Sequence, residues 1–93
     1  MRFEWDERKN ASNLRKHGVS FEVASEVFDD PLAFSEQDRF VDGEERWSVI
    51  GWAAGHFVFV AFAMYETGEE DIVRIISARR ADRQERRTYE RGT

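Results

Sequence analysis

The sequence predicts an α+β domain: two N-terminal helices, an antiparallel sheet of three to four strands, and a C-terminal helix. Three observations predict it. Apolar residues recur at helical spacing over 21–28. Runs of β-branched and aromatic residues, separated by glycine-bearing breaks, fill 46–78. Beyond 79 the chain turns polar, with no interior glycine or proline. Helices, then strands, then a helix is the element order of an α+β fold. A chain of 93 residues makes one domain. It buries roughly two-thirds of its unfolded surface, enough for a single core.

The first helix is expected over residues 6 to about 16. Asp6 is a suitable N-cap, Glu7 suits the positive helix end, and Gly18 supplies the stop after Lys16 and His17. Its apolar stripe is thin, Ala11 and Leu14, with Trp5 just before. Ser20 can cap a second short helix, in which Phe21, Ala24, Val27 and Phe28 share one face. Pro31 ends it, because proline disfavours helical backbone at Asp30. "LAFSE" reads as a short strand, and "QDRFVDGEE" as a loop with at most a strand fragment. Strands follow at about 46–53, 56–65 and 71–78, the last two joined through Gly68. Residues 79–91 read as the final helix, with Ala81 and Tyr89 on one side.

The run 47–65 holds nineteen residues without a formal charge, about the length of a membrane span. Gly51, Gly55 and His56 interrupt it, and its residues are strand formers. A buried β-hairpin turning at "AAGH" explains it better than a membrane helix. The N-terminus is charged and is not a signal peptide. A cytoplasmic protein is the expectation. The absence of cysteine rules out disulfides and thiolate metal sites. Two histidines without close spacing give no metal signal, so neither metal nor cofactor is expected.

Charge is unevenly spread. Residues 1–73 carry seven basic and sixteen acidic groups, a net −9, whereas residues 74–93 carry seven basic and three acidic, a net +4. An anionic partner is expected for the C-terminal segment. Arg74 lies in a strand and by alternation shares a face with Ile72, Ile76 and Ala78. Arg79 and Arg80 stand where strand meets helix, and arginine's planar fork of donors matches phosphate. These three read as ligand-facing. For Arg83, Arg86, Arg87 and Arg91 a solvated helix with i, i+4 ion pairs is the favoured reading. Arg46 is either a sheet-edge cation facing a ligand or a strand terminus. His17 suits proton transfer, or it closes the first helix, the reading that spacing favours. His56 falls in the hairpin turn and reads as an exposed loop residue. No phosphate loop, serine elbow or cysteine nucleophile is present. Any catalysis here would be acid–base and electrostatic, which suits RNA cleavage by the substrate's own 2′-hydroxyl.

"FEWDERKNASNLRKHGVSFEVASEVFDDP" resembles the opening of the BrnT family at Trp5, Asp6, Lys9, Asn13, Lys16, His17, Gly18, Val19, Phe21 and Ala24. "GEERW", Gly51 and "RIISARRA" continue the likeness through Arg46, Arg74, Ser77, Ala78, Arg79, Arg80 and Ala81, and it closes on Glu85 and Tyr89. The resemblance implies a type II toxin with a RelE-like fold and ribonuclease activity. It also implies a BrnA-like antitoxin with a ribbon-helix-helix DNA-binding portion, operator DNA being met only through that antitoxin. On this reading Arg46, Arg74, Arg79, Arg80 and His17 are the catalytic candidates, and Lys16, Arg83, Arg87 and Tyr89 candidates for RNA contact. The alternative is a non-catalytic module whose basic segment binds nucleic acid or an acidic protein.

Overall fold

The structure, a computed structural model, describes residues 1–92. Its elements are β1 (Arg2–Glu4), α1 (Glu7–His17), α2 (Phe21–Glu26), a single 3-10 turn (Val27–Asp29), β2 (Phe34–Val41), β3 (Glu44–Ala53), β4 (His56–Thr67), β5 (Glu70–Arg80) and α3 (Arg83–Arg91). The five strands form one sheet in the order β1-β5-β4-β3-β2. All neighbours are antiparallel except β1, which pairs parallel with β5.

The α+β class is as expected; the sheet is not. It has five strands and is mixed, where three to four antiparallel strands were expected. β1 is three residues long and made by long-range pairing of Arg2 with Ile72 and Glu4 with Arg74. The stretch read as a loop is most of β2. It closes onto β3 through Asp42 and Gly43, both at positive φ, the backbone of a tight hairpin turn. The charge-free run is the β3–β4 hairpin, turning at Ala54 and Gly55. Among the described residues no helix is long and apolar enough to cross a membrane.

α1, α2 and the 3-10 turn cover one face of the sheet. Val19, Phe21, Ala24 and Val27 pack there on Val49, Val58, Val60, Phe62, Val73, Ile75 and Ala78. Gly51 is required by this packing: a Cβ on it would lie 2.5 Å from Val27 Cγ1. The expected apolar stripe of α1 is not its buried side. Ala11 and Leu14 are exposed, and the residues facing inward are Asn10 and Asn13, at 7% and 8% exposure. Both are paired, as buried amides must be. Asn10 Oδ1 accepts from Phe21 N at 2.8 Å, and its Nδ2 donates to Glu22 Oε1 at 2.9 Å. Asn13 Nδ2 donates to Val19 O (2.8 Å) and Ala78 O (2.6 Å), while its Oδ1 accepts from Ala78 N (3.2 Å). β1 ends opposite Arg74, so Asn13 satisfies the β5 backbone where no strand lies beside it.

β5 carries an irregularity against β4 between the Ala61–Ser77 and Phe62–Ile75 pairs. The extra residue moves Ala78 to the core face. The expectation that Ala78 shares a face with Arg74 fails for that reason. β5 also runs on to Arg80, two residues past its expected end, so α3 begins at Arg83 rather than near 79.

Candidate functional site

The sheet face away from α1 and α2 is the chemically rich one. Register places its residues in rows. Arg46, Ala63 and Arg74 face one another across β3, β4 and β5, with Glu4 beyond on β1. The next row is Glu36, Ser48, Ala61 and Ser77; the next is Phe34, Ile50, Phe59 and Arg79. Trp52 and Phe57 close the series at the β3–β4 turn.

In the first row Ala63 is wholly buried and short, so the two arginines beside it can converge. They converge on Glu44. Arg74 Nη2 lies 2.5 Å from Glu44 Oε1, and Arg46 Nη2 lies 3.6 Å from the same oxygen. The three side chains are 26–37% exposed, so the cluster is reachable. Arg46 Nε is buried without a hydrogen-bond partner among the described residues. A cavity of about 360 Å³ lies over the neighbouring row, lined by Glu36, Ser48, Phe59 and Ala61 among others. On the far side Tyr65 Oη donates to Glu4 Oε2 at 2.6 Å, and that hydrogen bond raises the phenol pKa.

Arg79 stands two rows away and is held twice. Its Nη1 and Nη2 donate to Glu85 Oε1 and Oε2 at 2.8 and 2.9 Å, and its guanidinium lies 4.4 Å over the Phe59 ring. The Glu85 hydrogen bonds raise its pKa above the ordinary arginine value. Glu85 also accepts from Asp82 N while Asp82 accepts from Glu85 N, the reciprocal cap that starts α3. Asp82 is thereby committed to the cap, and among the described residues no ion pair joins it to Arg86, four residues on.

Arg80, one residue on, points the other way. It pairs with Val58 in register, and its Nη2 lies 2.9 Å from His56 Nε2. His56 was expected to be a bystander in a turn. Arg86 lies 4.7 Å over the Phe57 ring, and Phe57 meets both Trp52 and Tyr89 edge-on. Tyr89 Oη donates to Asp30 Oδ2 at 2.8 Å, pinning α3 across the sheet end. Burial alone would raise the Asp30 pKa. Hydrogen bonds from Leu32 N, Trp52 N and Tyr89 more than offset that and hold it below its ordinary value.

The predicted residues therefore separate. Arg46 and Arg74 come together on one carboxylate, Arg79 is near but tied to α3, and Arg80 belongs to a second cluster at the sheet end. Arg83 and Arg87 line the outer side of α3 with Arg86 and Glu90. Lys16 and His17 end α1 in the helix layer, and among the described residues no side-chain hydrogen bond or ion pair joins them to the arginines. Gly18, in left-handed backbone, closes that helix through its own N–H to Leu14 O. Among the described residues no three His, Cys, Asp or Glu side chains form a group that could hold a metal ion. Sequence reasoning missed Glu44, one of nineteen acidic residues. Its only signal was position: two residues before Arg46, on the same strand face.

Comparison with curated proteins returns no match. The sequence model of one family, described as ribonuclease toxin, BrnT, of type II toxin-antitoxin system, matches residues 5–85. That span holds Glu44, Arg46, Arg74, Arg79, Arg80 and Glu85, and stops before most of α3. The chain belongs to the BrnT family of type II toxin–antitoxin ribonuclease toxins.

Proposed function

We propose that this chain is a metal-independent endoribonuclease, of RelE-like architecture, that cleaves RNA on the face bearing Arg46, Arg74 and Glu44. The observation that carries the reading is the convergence of two arginines on one reachable carboxylate. RNA supplies its own nucleophile, so the protein must take a proton and stabilise charge. In the proposed step Glu44 accepts the 2′-hydroxyl proton as the O2′–phosphorus bond forms. Arg46 and Arg74 then turn from Glu44 to the phosphorane oxygens, the guanidinium fork matching that group. The phosphorus–O5′ bond breaks, and the leaving oxygen takes a proton from solvent. The products are a 2′,3′-cyclic phosphate and a 5′-hydroxyl. Arg79, fixed by Glu85 and Phe59, is a rigid neighbouring cation for an adjoining phosphate.

The chain acts in the cytoplasm and is neutralised by a BrnA-like antitoxin whose ribbon-helix-helix portion meets operator DNA. Cleavage of RNA by purified Glu44→Gln and Arg74→Ala variants tests the site. Each should lower kcat by about a hundredfold or more while the protein stays folded. Folded variants that cut at the wild-type rate would place the chemistry elsewhere. A wild-type chain that binds RNA without cutting it would favour the non-catalytic module.

A further inference from the structure

The second cluster, at the sheet end, has no part in that chemistry. Trp52, Gly55, His56, Phe57, Arg80 and Arg86 line a cavity of about 290 Å³. Three features set it apart. Arg80 and Arg86 have no carboxylate partner among the described residues, unlike Arg46, Arg74 and Arg79. Trp52 is 48% exposed although its indole rests edge-on against Phe57 at 4.9 Å. His56 is exposed and already turned toward Arg80. An exposed aromatic face beside unpaired cations is what a single-stranded nucleic acid binds: the base stacks and the phosphate meets the charges.

We propose that this cavity is a nucleotide-binding subsite for single-stranded RNA, with one base stacked on Trp52 and its phosphate held by Arg80 and Arg86. The inference rests on the ribonuclease reading for its substrate and adds where the strand is gripped. The cavity is near the lower end of the range for small-ligand sites, room for one nucleotide. It lies six residues along β3 from Arg46, roughly 20 Å away at strand rise. The strand is therefore held a few nucleotides from the bond that breaks. His56 gives up its contact with Arg80 as the phosphate enters, and its Nδ1–H, the proton-bearing nitrogen when Nε2 accepts from Arg80, turns to donate to the phosphate. Trp52, Arg80, Arg86 and His56 are binding residues, not catalytic ones.

The test is binding of a short, fluorescein-labelled, fully 2′-fluoro RNA of mixed sequence, which lacks the attacking hydroxyl. Fluorescence anisotropy is read across a salt series. Trp52→Ala and Arg80→Ala should each weaken binding about tenfold. Arg80→Ala should flatten the salt dependence and Trp52→Ala should not. Trp52→Phe keeps a stacking face and should recover most of the affinity. A melting curve on each variant separates lost binding from lost fold, and Arg80→Lys, at an exposed position, covers the case of a misfolded alanine variant. Folded variants that bind like wild type overturn the subsite. Wild type that fails to bind this RNA overturns it too. If that same wild-type protein cleaves ordinary RNA, the ribonuclease reading stands without the subsite.

Discussion

At the scale of single residues, charge and polarity were read from the sequence by type, and structure assigned them by neighbour. The arginines were visible as a group, but only strand register shows that Arg46 and Arg74 meet across Ala63. Glu44 was invisible because nothing local marks one carboxylate among many. Asn13 is the opposite case: a polar residue on a helix reads as solvent-facing, yet it is buried because it completes the backbone of β5. Its removal should be severe. Asn13→Ala leaves the Ala78 N–H and C=O buried and unpaired, which costs about 2–6 kcal/mol at roughly 1–3 kcal/mol per stranded group. Asn10→Ala strands the Phe21 N–H and is the smaller loss. Chemical denaturation checks both, and an Asn13→Ala protein as stable as wild type would remove the amide from this role. Because Ala78 immediately precedes Arg79, the same variant should also loosen that arginine, read as faster amide exchange at Arg79 and Arg80.

At the scale of elements, those with a one-sided apolar pattern were legible. One helix was read from Phe21, Ala24, Val27 and Phe28; the chain there is α2 followed by the 3-10 turn, with the first three residues fully buried and Phe28 partly so. The β3–β4 hairpin was read from its β-branched and aromatic residues. β2 was not, because its exposed, charged side chains look like loop; Asp42–Gly43, a strong hairpin signal, was in plain view. β1 was out of reach for another reason, since a three-residue strand exists only through a partner seventy residues away. α3 was legible as a helix but not as an attachment. It is held by Glu85 on Arg79, by Phe57 against Arg86 and Tyr89, and by Tyr89 on Asp30, and the pKa directions give the last of these contacts a pH window. Asp30 is depressed below its ordinary 3.8, so its contribution is present above about pH 4 and lost as pH falls through the folded value. Hydrogen bonding to Asp30, with burial second, raises Tyr89 above its ordinary 10.0. Its contribution is therefore full below about pH 10 and lost as pH rises through the folded value. Amide exchange in α3 should accelerate at both extremes, and Tyr89→Phe should make it fast throughout, for a loss of about 1 kcal/mol. Exchange in α3 that ignores pH and tolerates Tyr89→Phe would show that other contacts hold the helix.

At the scale of the whole molecule, the opposition of −9 before residue 74 and +4 after it is partly cancelled by contact, as in the Arg74–Glu44 pair. The sequence shows the imbalance; the fold shows that carboxylates already pair with Arg46, Arg74 and Arg79, while among the described residues Arg80, Arg83, Arg86, Arg87 and Arg91 have no carboxylate partner, Arg80 and Arg86 being the two at the sheet-end cavity. An antitoxin that covers this end should present acidic groups to them, because complementary charge speeds docking. Arg80→Ala combined with Arg86→Ala should slow antitoxin association by about tenfold at low salt and less at high salt. Stopped-flow mixing measures this. An unchanged rate would put the antitoxin on another surface, with the acidic first 73 residues the next to examine.

The central claim is that the uncovered sheet face cuts RNA by using the substrate's own 2′-hydroxyl. The most direct measurement is the chemical identity of the cut ends after purified wild-type chain has acted on RNA in excess EDTA. Cleavage should be undiminished by the chelator and should leave a 2′,3′-cyclic or 3′-phosphate upstream of each cut and a 5′-hydroxyl downstream. Cleavage that stops in EDTA and returns with magnesium, or that leaves a 5′-phosphate and a 3′-hydroxyl, would contradict it.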